Sequence, residues 1–134
     1  IVGFPGESEA EFADSCRALA DSPIAYAHIF NYSGRPGTAA TKLEGQVEAQ
    51  ERKRRSRVLH EISHRKKAQF YREMLGQRLR VLTEECQDGR WYGFADNYVR
   101  VAVDGAALEP NQLVEVEVVA AEQQHVVGRL GAAR

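Results

Sequence analysis

Cysteine is almost missing from this chain: Cys16 and Cys86 are the only two in 134 residues. Two cysteines so far apart exclude a disulfide framework, and neither stands at the spacing of a closed metal site, a usage that fits the reducing cytoplasm. Long apolar runs are missing too. No stretch approaches the roughly 20 residues of a membrane-spanning helix, and no signal peptide is visible, so no membrane partner is expected. An initiator methionine is also lacking. The chain opens with Ile1-Val2-Gly3 inside an apolar run, and the expectation is a fragment of a longer protein. What remains is 43% hydrophobic, enough for one domain, or for one small domain plus part of another.

Proline and glycine are absent from residues 46–75, where Arg, Lys, Glu, Gln and Ala dominate. All are good helix formers, so the spacing predicts one long helix between Gly45 and Gly76. It carries Arg52, Lys53, Arg54, Arg55, Arg57, Arg65, Lys66, Lys67 and Arg72. Residues 1–45 have a net charge of −3, residues 46–80 of +7 and residues 81–134 of −5, so a nearly neutral total hides one basic band. Such a band is either a solvated helix face or a phosphate-facing surface, the electrostatic footprint of nucleic acid.

Before the helix, residues 1–4 form a short apolar run stopped by Pro5 and Gly6. Ser8-Glu9-Ala10-Glu11 has the form of a capping box. Phe12, Cys16, Leu19 and Ala20 then make one apolar stripe, which assigns Cys16 to a core rather than to nucleophilic chemistry. Residues 24–32 read as a second strand. Strand, helix and strand at this spacing make a βαβ unit, which requires a parallel sheet whose ligands bind beyond the strands' carboxyl ends. Two loops lie there: Phe4-Pro5-Gly6-Glu7-Ser8 and Ser33-Gly34-Arg35-Pro36-Gly37-Thr38. The second offers Arg35 for phosphate or carboxylate, or is an ordinary turn. His60 and His64 share a helix face, but no third metal ligand accompanies them.

Beyond Gly76 the period becomes two. Leu79, Val81 and Thr83 alternate with Arg78, Arg80 and Leu82, Val99, Val101 and Val103 with Tyr98, Arg100 and Ala102, and Val114, Val116 and Val118 with Glu115 and Glu117; Val126 and Leu130 close the series. Turn signals fall at Gln87-Asp88-Gly89, Asp104-Gly105 and Glu109-Pro110-Asn111. Short strands so punctuated predict a small closed β-barrel over residues 76–134, after an α/β part over residues 1–75. Trp91, Tyr92, Phe94 and Tyr98 are expected mostly in its core, with one or two left as a base-stacking platform.

Several of these stretches together resemble the radical-SAM tRNA methylthiotransferases. Ile1-Val2-Gly3-Phe4-Pro5-Gly6-Glu7-Ser8 is similar to that family's Ile-Val-Gly-Phe-Pro-Gly-Glu-Thr strand and loop. Residues 28–40, with Tyr32-Ser33-Gly34-Arg35-Pro36-Gly37-Thr38, resemble its Tyr-Ser-Pro-Arg-x-Gly-Thr segment, with Gly34 where the family usually has Pro. The tail resembles a TRAM domain, an OB-like RNA-binding barrel, although here it is net acidic. Gly93-Phe94-Ala95-Asp96-Asn97-Tyr98-Val99-Arg100-Val101 is most like the branch that modifies threonylcarbamoyladenosine beside the anticodon.

The resemblance implies the last βαβ part of a radical-SAM barrel, a linking helix and a TRAM barrel. The whole enzyme would use S-adenosylmethionine and two [4Fe-4S] clusters, with a sulfur donor and an electron donor, to add a methylthio group to carbon 2 of the adenine. None of the cluster ligands is in this chain, which alone is expected to be inactive. Gly3, Gly6, Phe30 and Tyr32 are expected near the cofactor and Arg35 near the substrate. Arg52, Arg55, Arg90, Asn97, Tyr98 and Arg100 are the expected tRNA contacts. The alternatives are a non-catalytic RNA-binding adaptor made of barrel and helix, or a module whose basic helix docks an acidic protein.

Overall fold

The structure, a computed structural model, describes residues 1–105 and 107–131. It divides into two compact units, Ile1–Lys67 and Ala68–Arg134. Their elements in chain order are α1 (Glu9–Asp21), a 3-10 turn (Ala39–Lys42), α2 (Ala49–Glu73), β1 (Arg78–Gln87), β2 (Arg90–Ala95), β3 (Arg100–Asp104), β4 (Leu113–Ala121) and β5 (Val126–Leu130). The unit boundary falls within α2, upstream of Gly76.

In the first unit the capping box forms as its residues dictate. The Ser8 hydroxyl accepts the Glu11 N–H at 3.2 Å, and the Ser8 N–H donates to the Glu11 carboxylate at 2.8 Å. This satisfies donors that a helix start otherwise leaves orphaned. The Ser8 contacts also hold the Glu11 carboxyl below the usual range. Val2, Phe12 and Leu59 make a small buried core, against which Cys16, Leu19, Ile29 and Val58 pack half-buried. Burial, aided by Glu9, pushes the Cys16 thiol up, away from the thiolate that nucleophilic chemistry needs.

The two expected strands of this unit do not form a ladder. A single parallel bridge joins Val2 to Asn31, through Val2 N–H to Phe30 C=O at 2.9 Å and Tyr32 N–H to Val2 C=O at 2.8 Å. Upstream, the extended backbone at Ala27 finds a side chain instead of a strand. Ser63 Oγ, buried on α2, accepts the Ala27 N–H at 2.9 Å and donates to the Ala27 carbonyl at 3.0 Å. One residue thus meets the requirement that paired strands would share.

The second unit is a closed barrel in the order β1-β2-β3-β5-β4. All its pairings are antiparallel except β3 with β5, where Val101, Ala102 and Val103 face Val126, Val127 and Gly128. Five strands with this one parallel closure give OB-like topology. Alternation puts Val81, Val99, Val101, Val103, Val116, Val118 and Val126 inside, with Leu79, Ala95 and, from α2 and the turn after it, Tyr71 and Met74.

The barrel aromatics depart from expectation. None of Trp91, Tyr92, Phe94 and Tyr98 is fully buried, and Phe94 and Tyr98 are exposed. The interior is too narrow for them: facing inward on β2 are Gly93 and Ala95, with Trp91 half-buried at the strand's beginning. A bulge in β1 between Thr83 and Glu85 brings backbone directly over Gly93, where an added Cβ would collide with the Leu82 carbonyl. Inside, Thr83 ties the β3–β4 connection, since its N–H donates to Gln112 C=O at 2.9 Å and its C=O accepts the Asn111 N–H at 2.7 Å.

Gly93→Ala should therefore destabilise the barrel by about 2 kcal/mol or more, because the obstructing atom is ladder backbone. Gly89→Ala, at φ +79° with open space around it, should cost about 1 kcal/mol from backbone strain alone. Denaturant unfolding of both variants checks the order, and a Gly93→Ala barrel as stable as wild type would refute this account of the bulge.

Candidate cofactor loop and nucleic-acid interface

The loop that follows Val2 is fastened to α2 by charge. Arg55 is 6% exposed. Its Nη1 donates to the Glu7 carbonyl at 2.8 Å and to the Glu7 carboxylate at 2.9 Å, and its Nε donates to Glu51 at 2.9 Å. The guanidinium also lies over the Phe12 ring, 5.4 Å from its centroid. Burial works against the Arg55 charge, but the bonds to Glu7 and Glu51 outweigh it and raise its pKa. Glu7 in turn accepts the Gly3 N–H at 3.1 Å. Arg54 joins the network from outside through Glu9 and Glu51. Hydrogen bonds from Arg54 and Arg55 pull the Glu51 carboxyl down to about 2.

The glycines of this loop have intramolecular partners. Gly3 has φ +79°, and the space a Cβ would need is filled by the stem of Arg52. Gly6 has φ +87° and lies against the backbone of Gly45, whose carbonyl accepts its N–H at 2.7 Å. Tyr32 packs edge-to-face with Phe4, ring centroids 5.4 Å apart, and its hydroxyl is buried with no hydrogen-bond partner among the described residues. Arg52 Nη1 reaches the Tyr32 carbonyl at 3.4 Å. Phe30 is 66% exposed, and the Arg35 side chain is exposed in its loop without a partner among the described residues. The structure thus brings Gly3, Phe4, Tyr32 and Arg52 together, with Phe30 one residue before the Val2–Asn31 bridge.

Arg55 is where expectation and structure part. A buried guanidinium bound to two carboxylates cannot also face a phosphate backbone, and Arg54 is engaged on Glu51 and Glu9. Lys66 caps the end of α1 through the carbonyls of Ala20 and Ser22, and Lys67 lies over the Tyr26 ring. Glu7, Ser63 and Lys66 were not read from the sequence as anchors. The signal for Ser63 was there, as a polar residue at a buried helical position next to Ile62.

On the barrel, Arg90, Tyr92 and Phe94 of β2 point outward beside Arg100 and Ala102 of β3. Arg100 lies over Tyr92 at 4.9 Å and bonds Glu85 at 3.0 Å, while Arg90 bonds Asp104 at 2.8 Å. His125, from the β4–β5 connection, contacts the Tyr92 ring edge-to-face at 5.4 Å. Burial pushes its pKa down; Nε2 lies 3.1 Å from Glu122 but outside hydrogen-bond geometry. Asn97 shapes a turn, accepting the Val99 N–H at 3.2 Å and donating to Met74 Sδ at 3.4 Å. That turn places Tyr98 at φ +61°, 77% exposed. The β2–β3 face with the β1–β2 and β4–β5 loops is where OB-like barrels take single strands. A shallow cavity of about 310 Å³ between Gln87, Asp88, Gly89, Arg90, Tyr92 and Asp104 opens on this side.

The fold is a small OB-like barrel, an architecture with a known nucleic-acid-binding face, preceded by a glycine-bearing loop held on a basic helix. Comparison with known proteins extends this. A threonylcarbamoyladenosine tRNA methylthiotransferase from Aquifex aeolicus is 39% identical over 116 residues, 87% of this chain and 27% of that protein. A tRNA-2-methylthio-N6-dimethylallyladenosine synthase from Thermobifida fusca is 36% identical over 140 aligned positions, 98% of this chain and 28% of that protein. A second threonylcarbamoyladenosine tRNA methylthiotransferase, from Bacillus subtilis, is 29% identical over 90% of this chain. No family model matches. The chain is homologous to the tRNA methylthiotransferases, the family its motifs resemble, and it spans under a third of the length of these relatives.

The residues present do not fit an iron–sulfur cluster. Cys16 and Cys86 lie in different units, and among the described residues no three His, Cys, Asp or Glu side chains are grouped to hold a metal. Nor is any helix among the described residues long and apolar enough to cross a membrane.

Glu51, about a third exposed, supplies a pH test. Its folded pKa is depressed, so its contribution to stability is present above the ordinary carboxylate range, about 4.5, and is lost as pH falls toward about 2. Glu51→Gln should flatten the pH dependence of first-unit unfolding in that window. Arg55→Met, which strands Glu7, should cost on the order of 3 kcal/mol at neutral pH. Denaturant unfolding at pH 7, 5 and 3 measures both, and an Arg55→Met chain of unchanged stability would contradict the buried pairing.

Proposed function

We propose that this chain is the C-terminal part of a tRNA methylthiotransferase that places a methylthio group on carbon 2 of threonylcarbamoyladenosine next to the anticodon. One observation carries this reading: similarity to tRNA methylthiotransferases runs through both units, covering 87% of the chain in a threonylcarbamoyl-type relative and 98% in a dimethylallyl-type one. Relatives of both the threonylcarbamoyl and the dimethylallyl type are found. The threonylcarbamoyl branch is preferred for the stretch from Gly93 to Val101, the turn that presents Tyr98. S-adenosylmethionine and clusters held elsewhere in the protein would supply the radical chemistry.

In this reading the first unit is a wall of the reaction chamber. Ile1, Phe4 and Phe30 are exposed apolar side chains around a lone parallel bridge, as at a sheet whose other strands are supplied by the rest of the protein. Gly3 and Gly6 set the loop's path, and Tyr32, with its unpartnered hydroxyl, stands closest to a bound cofactor. Arg35, exposed and uncommitted, positions the substrate nucleoside. The barrel holds tRNA through Tyr98, Arg90 and Arg100, with Asn97 holding the turn that presents Tyr98.

The deciding experiment is disruption of the full gene followed by mass spectrometry of tRNA nucleosides. Loss of the methylthio form of threonylcarbamoyladenosine is expected. Loss of the dimethylallyl form instead would reassign the branch, and an unchanged nucleoside profile would favour the RNA-binding adaptor. In the full-length enzyme, Arg35→Gln should lower turnover by about tenfold or more while tRNA affinity stays within about twofold, the split expected of a positioning contact. Equal losses in both would make Arg35 a plain binding residue.

A further inference from the structure

The nine cations of α2 are unequal once their partners are counted. Six are engaged within the chain, by carboxylates, carbonyls, a ring or a glutamine. Lys53, Arg57 and Arg65 make no ion pair or hydrogen bond among the described residues. Lys53 and Arg57 are exposed, and so are His60 and His64 one and two turns on. At about 100° per residue these four positions fall within about 60° of one another, along roughly 16 Å of helix. They form the centre of the solvent face of α2, opposite buried Arg55, Leu59 and Ile62.

Histidine adds chemistry that a plain charge run lacks. His60 Nδ1 lies 2.8 Å from the Ser56 carbonyl, which can only accept, and 3.3 Å from the Ser56 hydroxyl; in the tautomer that donates from Nδ1 to that carbonyl, Nε2 is the outward acceptor. The His60 and His64 rings stand edge-to-face, 6.1 Å between centroids. Two uncommitted cations beside an outward acceptor match a phosphate backbone bearing ribose hydroxyls, since the 2′-OH is the donor that DNA lacks. An acidic protein surface offers the charge but no such regular donor.

We propose that Lys53, Arg57, His60 and His64 form a docking strip for the sugar–phosphate backbone of RNA. The lysine and arginine take phosphates and His60 Nε2 accepts from a 2′-OH. This rests on the reading of the chain as a tRNA-binding part, and it replaces the broader expectation that the whole basic band faces phosphate.

The test measures binding of an unmodified tRNA transcript to the 134-residue chain at several salt concentrations. Lys53→Gln/Arg57→Gln should weaken binding about tenfold or more near 100 mM salt and flatten the log–log salt slope by nearly two units. Arg54→Gln, which removes an exposed but paired arginine, should leave the slope unchanged. His60→Phe should narrow the preference for RNA over a DNA of the same sequence. Thermal melts confirm that the exposed substitutions leave the fold intact. Wild-type slopes in the double variant, or poly-glutamate competing as well as tRNA at equal charge, would overturn the strip. If the wild-type chain binds no tRNA at all, the functional reading fails with it, so the two failures are distinguishable.

Discussion

A single buried guanidinium sets the conditions for the whole first unit. Arg55 sits among Glu7, Glu51 and the face of Phe12, where a charge without partners would cost several kcal/mol. It is tolerable only because Glu7 supplies both a carboxylate and a carbonyl, and Glu7 can do so only if the chain turns at Gly6. From there the constraint passes back to Gly3, whose N–H uses the same Glu7 carboxylate, and to Arg52, whose stem fills the room a Cβ would take. The Gly-Phe-Pro-Gly-Glu run is thus first a device for delivering Glu7 to Arg55. Any cofactor contact is built on a loop already fixed from behind.

The barrel obeys a different constraint, its girth. Five strands leave room for a layer of valines, and the positions facing inward on β2 shrink to glycine and alanine where the bulge presses in. Aromatic residues are consequently displaced to the outside. Their exposure follows from volume, and an OB-like barrel with Tyr92, Phe94 and Tyr98 outward presents ring faces on its β2 side and at the turn that ends β2. Binding by stacking tolerates any base, which suits a part that would hold RNA while another part selects the nucleoside.

Much of this was legible beforehand. The period-two valines, the turns at Asp88-Gly89 and Pro110-Asn111, the capping box and the long helix between Gly45 and Gly76 each depend on neighbours within a few residues, and each lies where the pattern puts it. The parallel pair was legible as a topology but not as strands, because sequence shows an extended segment without showing what satisfies it; at Ala27 that is Ser63, 36 residues away. The aromatic placement failed for a related reason. Apolar composition reports a tendency to be buried, whereas the volume available is a property of closure. The charge on α2 was the hardest to read. A count of +7 over residues 46–80 is silent on which cations the fold has already neutralised.

Commitment, more than number, decides what an arginine can do for a polyanion. Arg55 cannot leave its place without stranding the largely buried Glu7 carboxylate, so its charge is closed to any ligand. Arg90 and Arg100 are also paired, with Asp104 and Glu85, but at the surface, where the acids are well solvated on their own. Exposed pairs of this kind contribute about 0–1 kcal/mol, less than a charge-assisted bond to phosphate provides when counterions are released. Arg100 can therefore exchange Glu85 for a phosphate while keeping its place over Tyr92, the ring holding the guanidinium in position during the exchange. On the proposed reading, Asp104 and Glu85 would hold Arg90 and Arg100 in place until RNA displaces them. A net acidic barrel is in that light compatible with RNA binding, provided the acids sit beside the arginines and not beneath them.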